Sequence, residues 1–517
     1  MRLYRSFGTV ALHTIGSRIF GFFRTMMMAS FLGPGPITDA LTMATKFPAV
    51  LRRIFAEGAF NAVFVPMYTR ELSTHGKKSA HALAQDIFNI LFTTLIILVM
   101  VAEVYMENIV TFLLPGFVST PERLMHTILF TRITFPFILF ISLCAFYSGI
   151  LNSHQRFSAV ASSPTLGNIA IIVVFLGLYP FMENKGVPMA IGILACGIVQ
   201  WAWVWFPAHK LNISLTPRRP HITPTVKKFF RKIIPALAGG GVVQINILVG
   251  AMIASNLPND RVSYLEFAER LNQLPLSVIG TAISTAMLPT LVRQFKNADI
   301  THALNTQNKA LELVLFLTLP AAVGLFCLAD VIVTVLFEHG KFLASDTAAT
   351  AGALRMMAVG LPAYILVKLL TTSFFANEDT RTPLTTGALS IILDIALSLA
   401  LIGRYEHIGI AVATALASWA NTLMLFMILC SRKQFLISKA LRLFIARILV
   451  ISFGFAGFLV LLKSIITGWQ DTWIIHQIIA LSAFLILGIG FYALLCHKSG
   501  TYDVLLFYKQ FTRKGAE

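Results

Sequence analysis

SRIFGFFRTMMMASFL, residues 17–32, is an apolar stretch with two arginines inside it, and that conflict decides the fold. The apolar run extends back to residue 7, so one helix over 7–32 is long enough to cross a bilayer. An arginine at the centre of a lipid-facing helix costs roughly 2.5–3.5 kcal/mol on insertion scales. Arg52, Arg53 and Arg270 stand in similar surroundings further along. Even three such residues would cost on the order of 10 kcal/mol if nothing offset them. The cheaper arrangement is a bundle with a water-filled cavity into which the guanidinium groups turn. A cationic cavity at membrane depth calls for an anionic cargo. Phosphate suits it, because the planar arginine fork donates two parallel hydrogen bonds.

Composition agrees. The chain has 517 residues, 56% hydrophobic and 12% charged, with a mean hydropathy of +0.77. Soluble domains carry about 25% charged residues, so a soluble enzyme is excluded. The net charge of +18 reads as basic cytoplasmic loops facing anionic membrane lipids, not as a nucleic-acid surface. The five cysteines lie singly in apolar runs, as small buried hydrophobes, with no metal or disulfide pattern. The N-terminal stretch lacks a small-residue cleavage site and is interrupted by Arg18 and Arg24, which predicts a retained first helix. No G-x-S-x-G, H-E-x-x-H or P-loop occurs, so neither an enzyme nor a cofactor is expected.

Apolar stretches predict an all-α polytopic membrane protein with about fourteen spans. They are 7–32, 37–68, 82–106, 124–151, 159–181, 187–208, 228–255, 263–292, 305–336, 347–375, 384–403, 408–430, 440–465 and 473–497. Pro48 and Pro275 predict kinks or breaks in the second and eighth. Basic residues cluster on alternate sides of the count, at Arg70, Lys77 and Lys78, at Lys210 to Lys228, at Arg432 and Lys433, and after Lys498. The positive-inside rule then puts both termini in the cytoplasm. Ser148, Asn152 and Arg156 recur as Ser373, Asn377 and Arg381, each 225 residues on. Two parallel repeats follow, and two-lobed transporters expose a central site alternately to each side. The expected organisation is an N-terminal lobe over 1–210, a basic linker over 211–232, a second lobe over 233–434 and two added helices within 435–517.

Several side chains are candidates for contact with the cargo. Arg18 and Arg24 point about 120° apart on an ideal helix and share a cavity only if the helix bends or the side chains reach around. Arg52 and Arg53 point about 100° apart, so one binds the anion while the other pairs with Glu57 or a head group. Asp39 either caps its helix or holds a cavity arginine. Arg270 either pairs with Glu266 along its helix or reaches across to the anion. Asp394 is a lone acid in an apolar helix. It either binds a monovalent cation, with Asn377 or Asp379 further off, or is hydrogen-bonded to Ser390 or Ser398.

The run RRIFAEGAFNAVFVP, Arg52 to Pro66, closely resembles the signature of the MurJ (MviN) family of lipid II flippases. SRIFGFFR at 17–24, TDA at 38–40, KFP at 46–48, SPTLGN at 163–168, AERLNQLP at 268–275 and GKF at 340–342 extend the match over nearly the whole chain. The resemblance implies the MOP superfamily fold, two six-helix lobes plus two further helices, in the bacterial inner membrane. It implies lipid II, an undecaprenyl diphosphate bearing a disaccharide-pentapeptide, as cargo moved from inner to outer leaflet for peptidoglycan synthesis. It implies cavity roles for Arg18, Arg24, Arg52 and Arg270, with Ser17 and Asp39 beside them. It also implies a groove for the polyprenyl tail on the two added helices. Thr25 and Gln273 depart from the family, where many members carry acids at those positions. The rival reading is another MOP exporter, of lipid-linked oligosaccharides or of drugs. A drug exporter of cations needs an acidic cavity, and this one is basic.

Overall fold

The computed structural model describes residues 2–55, 59–221, 223–297, 299–466, 468 and 473–501. Among them the chain is helical, without a strand. It divides into two compact units, Met1–Ser263 and Tyr264–Glu517. The first holds α1 (Arg2–Leu32), α2 (Pro36–Phe55), α3 (Ala59–Val104), α4 (Met106–Leu113), a 3₁₀ turn (Pro115–Ser119), α5 (Pro121–Thr134), α6 (Phe137–Ser153), α7 (Phe157–Leu178), α8 (Val187–His209) and α9 (Pro224–Ser255). α10 (Arg261–Lys296) begins there and continues into the second unit. The second unit goes on with α11 (Ile300–Cys327), α12 (Ala329–Phe337), α13 (Ala344–Ala376), α14 (Arg381–Ser431), α15 (Lys439–Ile465) and α16 (Ile474–Lys498).

Helix is the form a membrane allows, because every backbone donor must find its acceptor within the segment. Polar side chains in these helices return their own donors to the backbone one turn earlier. Thr127 bonds the Arg123 carbonyl at 2.7 Å and Thr131 the Thr127 carbonyl at 2.6 Å. In the first unit an aromatic core fixes α3 on α6, with Phe64 stacked on Phe146 at 4.8 Å between ring centres.

Nine stretches among the described residues are long and apolar enough to cross a membrane, against the fourteen segments predicted. The helices that hold the arginines, α1, α2 and α10, are not among the nine. Charge inside a window works against the criterion that defines a span. One of the nine, Arg381–Ser431, is a hairpin. As a straight rod its 51 residues would measure roughly 76 Å, over twice the ~30 Å hydrocarbon core. The chain turns at Glu406, where φ is 48° and ψ is −129°. Ser390 donates to the Ala417 carbonyl at 2.8 Å and Thr414 to Asp394 at 3.2 Å, so the two limbs lie side by side. These limbs are the separate segments 384–403 and 408–430 of the sequence.

The breaks fall elsewhere than the prolines suggest. α2 and α10 run without interruption through Pro48 and Pro275. A proline removes one hydrogen bond but keeps a helical φ. A positive φ reverses the chain, and α3 does so at Gly76, with φ 80° and ψ −176°. Only glycine adopts that conformation freely. Gly76→Ala should therefore lower stability by about 1–3 kcal/mol, measured as thermal unfolding in detergent; an unchanged midpoint would contradict this origin for the turn.

The internal repeat is visible in backbone detail. α6 ends on Gln155 with φ 57°, and α13 ends on Glu378 with φ 60°. In each case the next amide returns to a carbonyl five residues back, Arg156 to Leu151 at 2.9 Å and Asp379 to Phe374 at 3.0 Å. This is the left-handed helix ending expected of a Schellman turn. An amide staple also recurs. Gln85 of α3 grips Thr216 through its carbonyl at 2.7 Å and its amide at 3.2 Å. Asn308 of α11, 223 residues later in the sequence, grips the Leu436 carbonyl at 2.9 Å and the Ser438 amide at 3.1 Å.

Candidate functional site

α1 and α2 carry the first arginines. Ser17 is half-buried, and its carbonyl accepts a hydrogen bond from Asn168 of α7 at 3.2 Å. Arg18 is exposed and Arg24 half-buried. On α2, Arg52 is half-buried and Arg53 exposed, so one of the adjacent pair is the inward residue. Glu57, the expected partner of the other, lies outside the described residues. Arg24 and Arg52 both lie within electrostatic reach of Cys196 in α8, and Arg52 also of Cys144 in α6. The fold thus gathers one arginine from each of two helices beside α8. Arg18, Arg24 and Arg52 each take part in an interaction within the protein, so none is a bare charge.

Asp39 is fully buried, and it neither caps its own helix nor engages the arginines of α1 and α2. Its carboxylate lies 3.0 Å from Arg123 Nη2, a residue at the start of α5 that is only 2% exposed. It also accepts hydrogen bonds from the backbone amides of Asp260 at 2.9 Å and Ser263 at 2.8 Å, and from the Ser263 hydroxyl. Asp39 therefore caps α10. Arg123 completes the clasp by donating to the Leu257 carbonyl at 3.0 Å and stacking over Phe117 at 4.0 Å. The Gly116 amide adds a bond to Ser255 Oγ at 3.2 Å. Residues 255–263 are held against α2, α5 and the 3₁₀ turn by this network. The sequence reading missed Arg123 by one position, since the apolar segment was started at residue 124. A buried acid at membrane depth demands a cation, and that demand was the available signal.

In the second unit Arg270 lies on Glu266, one turn back, through Nε at 2.8 Å and Nη2 at 2.7 Å. The intrahelical pair is what the structure shows, and it fixes the rotamer of a guanidinium that is still 41% exposed. Gln273, where relatives can carry an acid, donates to Glu269 at 2.7 Å. Thr25, the other departure, is buried and returns its hydroxyl to the Gly21 carbonyl at 3.2 Å.

Asp394 accepts hydrogen bonds from Thr414 at 3.2 Å and from Ser398. Ser390 goes to the Ala417 carbonyl instead. Asn377 caps α13 and donates to the Ser373 carbonyl at 2.9 Å. Asp394 lies 13 residues into α14, roughly 20 Å along the axis, so the two do not form one site. Asp379 closes the same turn and lies well below the usual carboxylate range, held there by the Thr382 hydroxyl, the Thr382 amide and Arg432. Among the described residues no cluster of His, Cys, Asp and Glu could hold a metal ion.

A family model described as lipid II flippase MurJ matches residues 28–484. A probable lipid II flippase MurJ of Rhizobium meliloti is 40% identical over 430 residues, covering 82% of this chain and 80% of that protein. One from Rickettsia prowazekii is 36% identical, covering 87% and 88%. Among solved structures, a lipid II flippase MurJ in an inward closed conformation superposes with a TM-score of 0.79 at 27% identity, over 97% of this chain and 99% of that one. An inward-facing multidrug MATE transporter of the MOP superfamily gives 0.65 at 15% identity, over 81% and 96%, a likeness of fold alone.

Proposed function

The chain belongs to the MurJ family of lipid II flippases, and on that premise we propose how its residues move lipid II across the bacterial inner membrane. It is a transporter with no chemical step. Arg24 and Arg52 receive the diphosphate, with Arg18 at the open face of α1 and Arg270 supplied by the second half of the sequence. The observation that carries this reading is the convergence of Arg24 and Arg52 near Cys196. Two guanidinium groups at membrane depth are costly unless an anion visits them, and a diphosphate offers each a two-point contact.

Alternating access gains support from the clasp at Asp39. It joins α2 and α5 of the first repeat to the segment that opens α10, which belongs to the second repeat. With both termini cytoplasmic, this clasp lies on the outer side, away from the basic loops. Release of cargo to the outer leaflet then requires Arg123 and Asp39 to let go of residues 257–263. Ser17 serves by holding α1 on α7 through its backbone, and Asp39 serves the gate instead of the cargo. Asp394, with Thr414 and Ser398, is the candidate for a monovalent cation, without Asn377.

Reconstitution in vesicles tests this. The purified protein should carry lipid II from one leaflet to the other, and any sodium dependence should vanish in Asp394→Asn. Vesicles in which lipid II moves no faster than in protein-free controls, under every ion gradient, would overturn the reading.

A further inference from the structure

α13 is open on two opposite faces. Ala348, Gly352, Arg355 and Val359 form one, and Tyr364, Lys368, Thr371 and Phe375 form the other. The nine residues from Val359 to Lys368 turn the helix by about 180°. The two faces treat their cations differently. Arg355 lies 3.6 Å from Asp330, which also pairs with Lys463. Lys368 has no such answer, and among the described residues no hydrogen bond or ion pair engages its ammonium group. An unanswered ammonium in a span is costly to keep.

Its surroundings show where it points. A Cβ built on Gly280 of α10 would lie 3.1 Å from Lys368 Cδ and 3.2 Å from Nζ. The open face of Lys368 is therefore turned to α10, the helix of Arg270, and glycine there leaves room for the lysine stem. Gly280 is ten residues beyond Arg270, about 15 Å along the axis towards Lys296. Arg270 itself is turned the other way, onto Glu266. The two cations stand further apart than the two phosphates of one diphosphate.

We propose that Lys368 is a second anion contact in the Tyr264–Glu517 unit, taking a charged group of the lipid-linked cargo at a different depth from Arg270. The proposal rests on the flippase reading. Lysine acts as a point charge and suits either a phosphate or a peptide carboxylate.

The test is binding of lipid II, and separately of undecaprenyl diphosphate, to the purified protein and to Lys368→Met, Lys368→Arg and Arg270→Ala. Lys368→Met should weaken lipid II binding about tenfold at low salt, and the difference should fade at high salt. Lys368→Arg should stay within about threefold of the parent. Equal losses on both probes assign the contact to the diphosphate, and a loss on lipid II alone assigns it to the peptide. Lys368→Gln replaces the methionine variant should that fail to fold, judged by its thermal midpoint. Full binding by Lys368→Met while Arg270→Ala binds poorly would overturn this inference and leave the flippase reading standing. Failure of the parent to bind lipid II would overturn both.

Discussion

Arg123→Met should lower the stability of the purified protein by about 3–5 kcal/mol, the cost of leaving one member of a buried ion pair without its partner. Both groups are almost fully buried, and each makes further hydrogen bonds to the 257–263 segment. Asp39→Ala should cost a similar amount, because it strands the Arg123 guanidinium and the amides of Asp260 and Ser263 together. The double replacement should cost clearly less than the two single ones added, since residues in one network couple. Thermal unfolding in detergent reads all three. A shift of under about 1 kcal/mol for Arg123→Met, in the range of exposed pairs, would mean that the clasp contributes little.

Arg24→Ala and Arg52→Ala should each reduce lipid II affinity by tenfold or more, because a hydrogen bond to a charged group contributes about 1.5–3 kcal/mol. The lysine replacements separate charge from geometry. Lysine keeps the charge but loses the two-point fork, so a loss with lysine nearly as large as with alanine assigns bidentate binding to that position. Neither variant should move the thermal midpoint as Arg123→Met does, since Arg24 and Arg52 are half-buried and Arg123 is sealed.

The arginines made the fold class legible. A chain this apolar with cations inside its spans has few solutions, and an all-α membrane bundle is the one found. The repeat was also readable, through Ser148, Asn152 and Arg156 and their counterparts at the ends of α6 and α13. What the sequence hid was pairing across distance. Asp39 and Arg123 are 84 positions apart in the sequence, and nothing local marks either as the other's partner. The turns at Gly76 and Glu406 were obscured because prolines draw attention to kinks, while a reversal needs positive φ. Lys368 was hidden by the apolar run around it; only the placement of Gly280 shows which way it faces. Asn377 and Asp394 illustrate the reverse error, two polar residues close in sequence that helix geometry holds apart.

The most direct measurement is rescue of a flippase-depleted bacterium by this chain and by its Arg24→Ala, Arg52→Ala and Arg270→Ala variants at matched membrane levels. Growth with the parent chain and lysis with each variant is the expected result. Normal growth with all three variants would show that cations at membrane depth are not what carries the diphosphate.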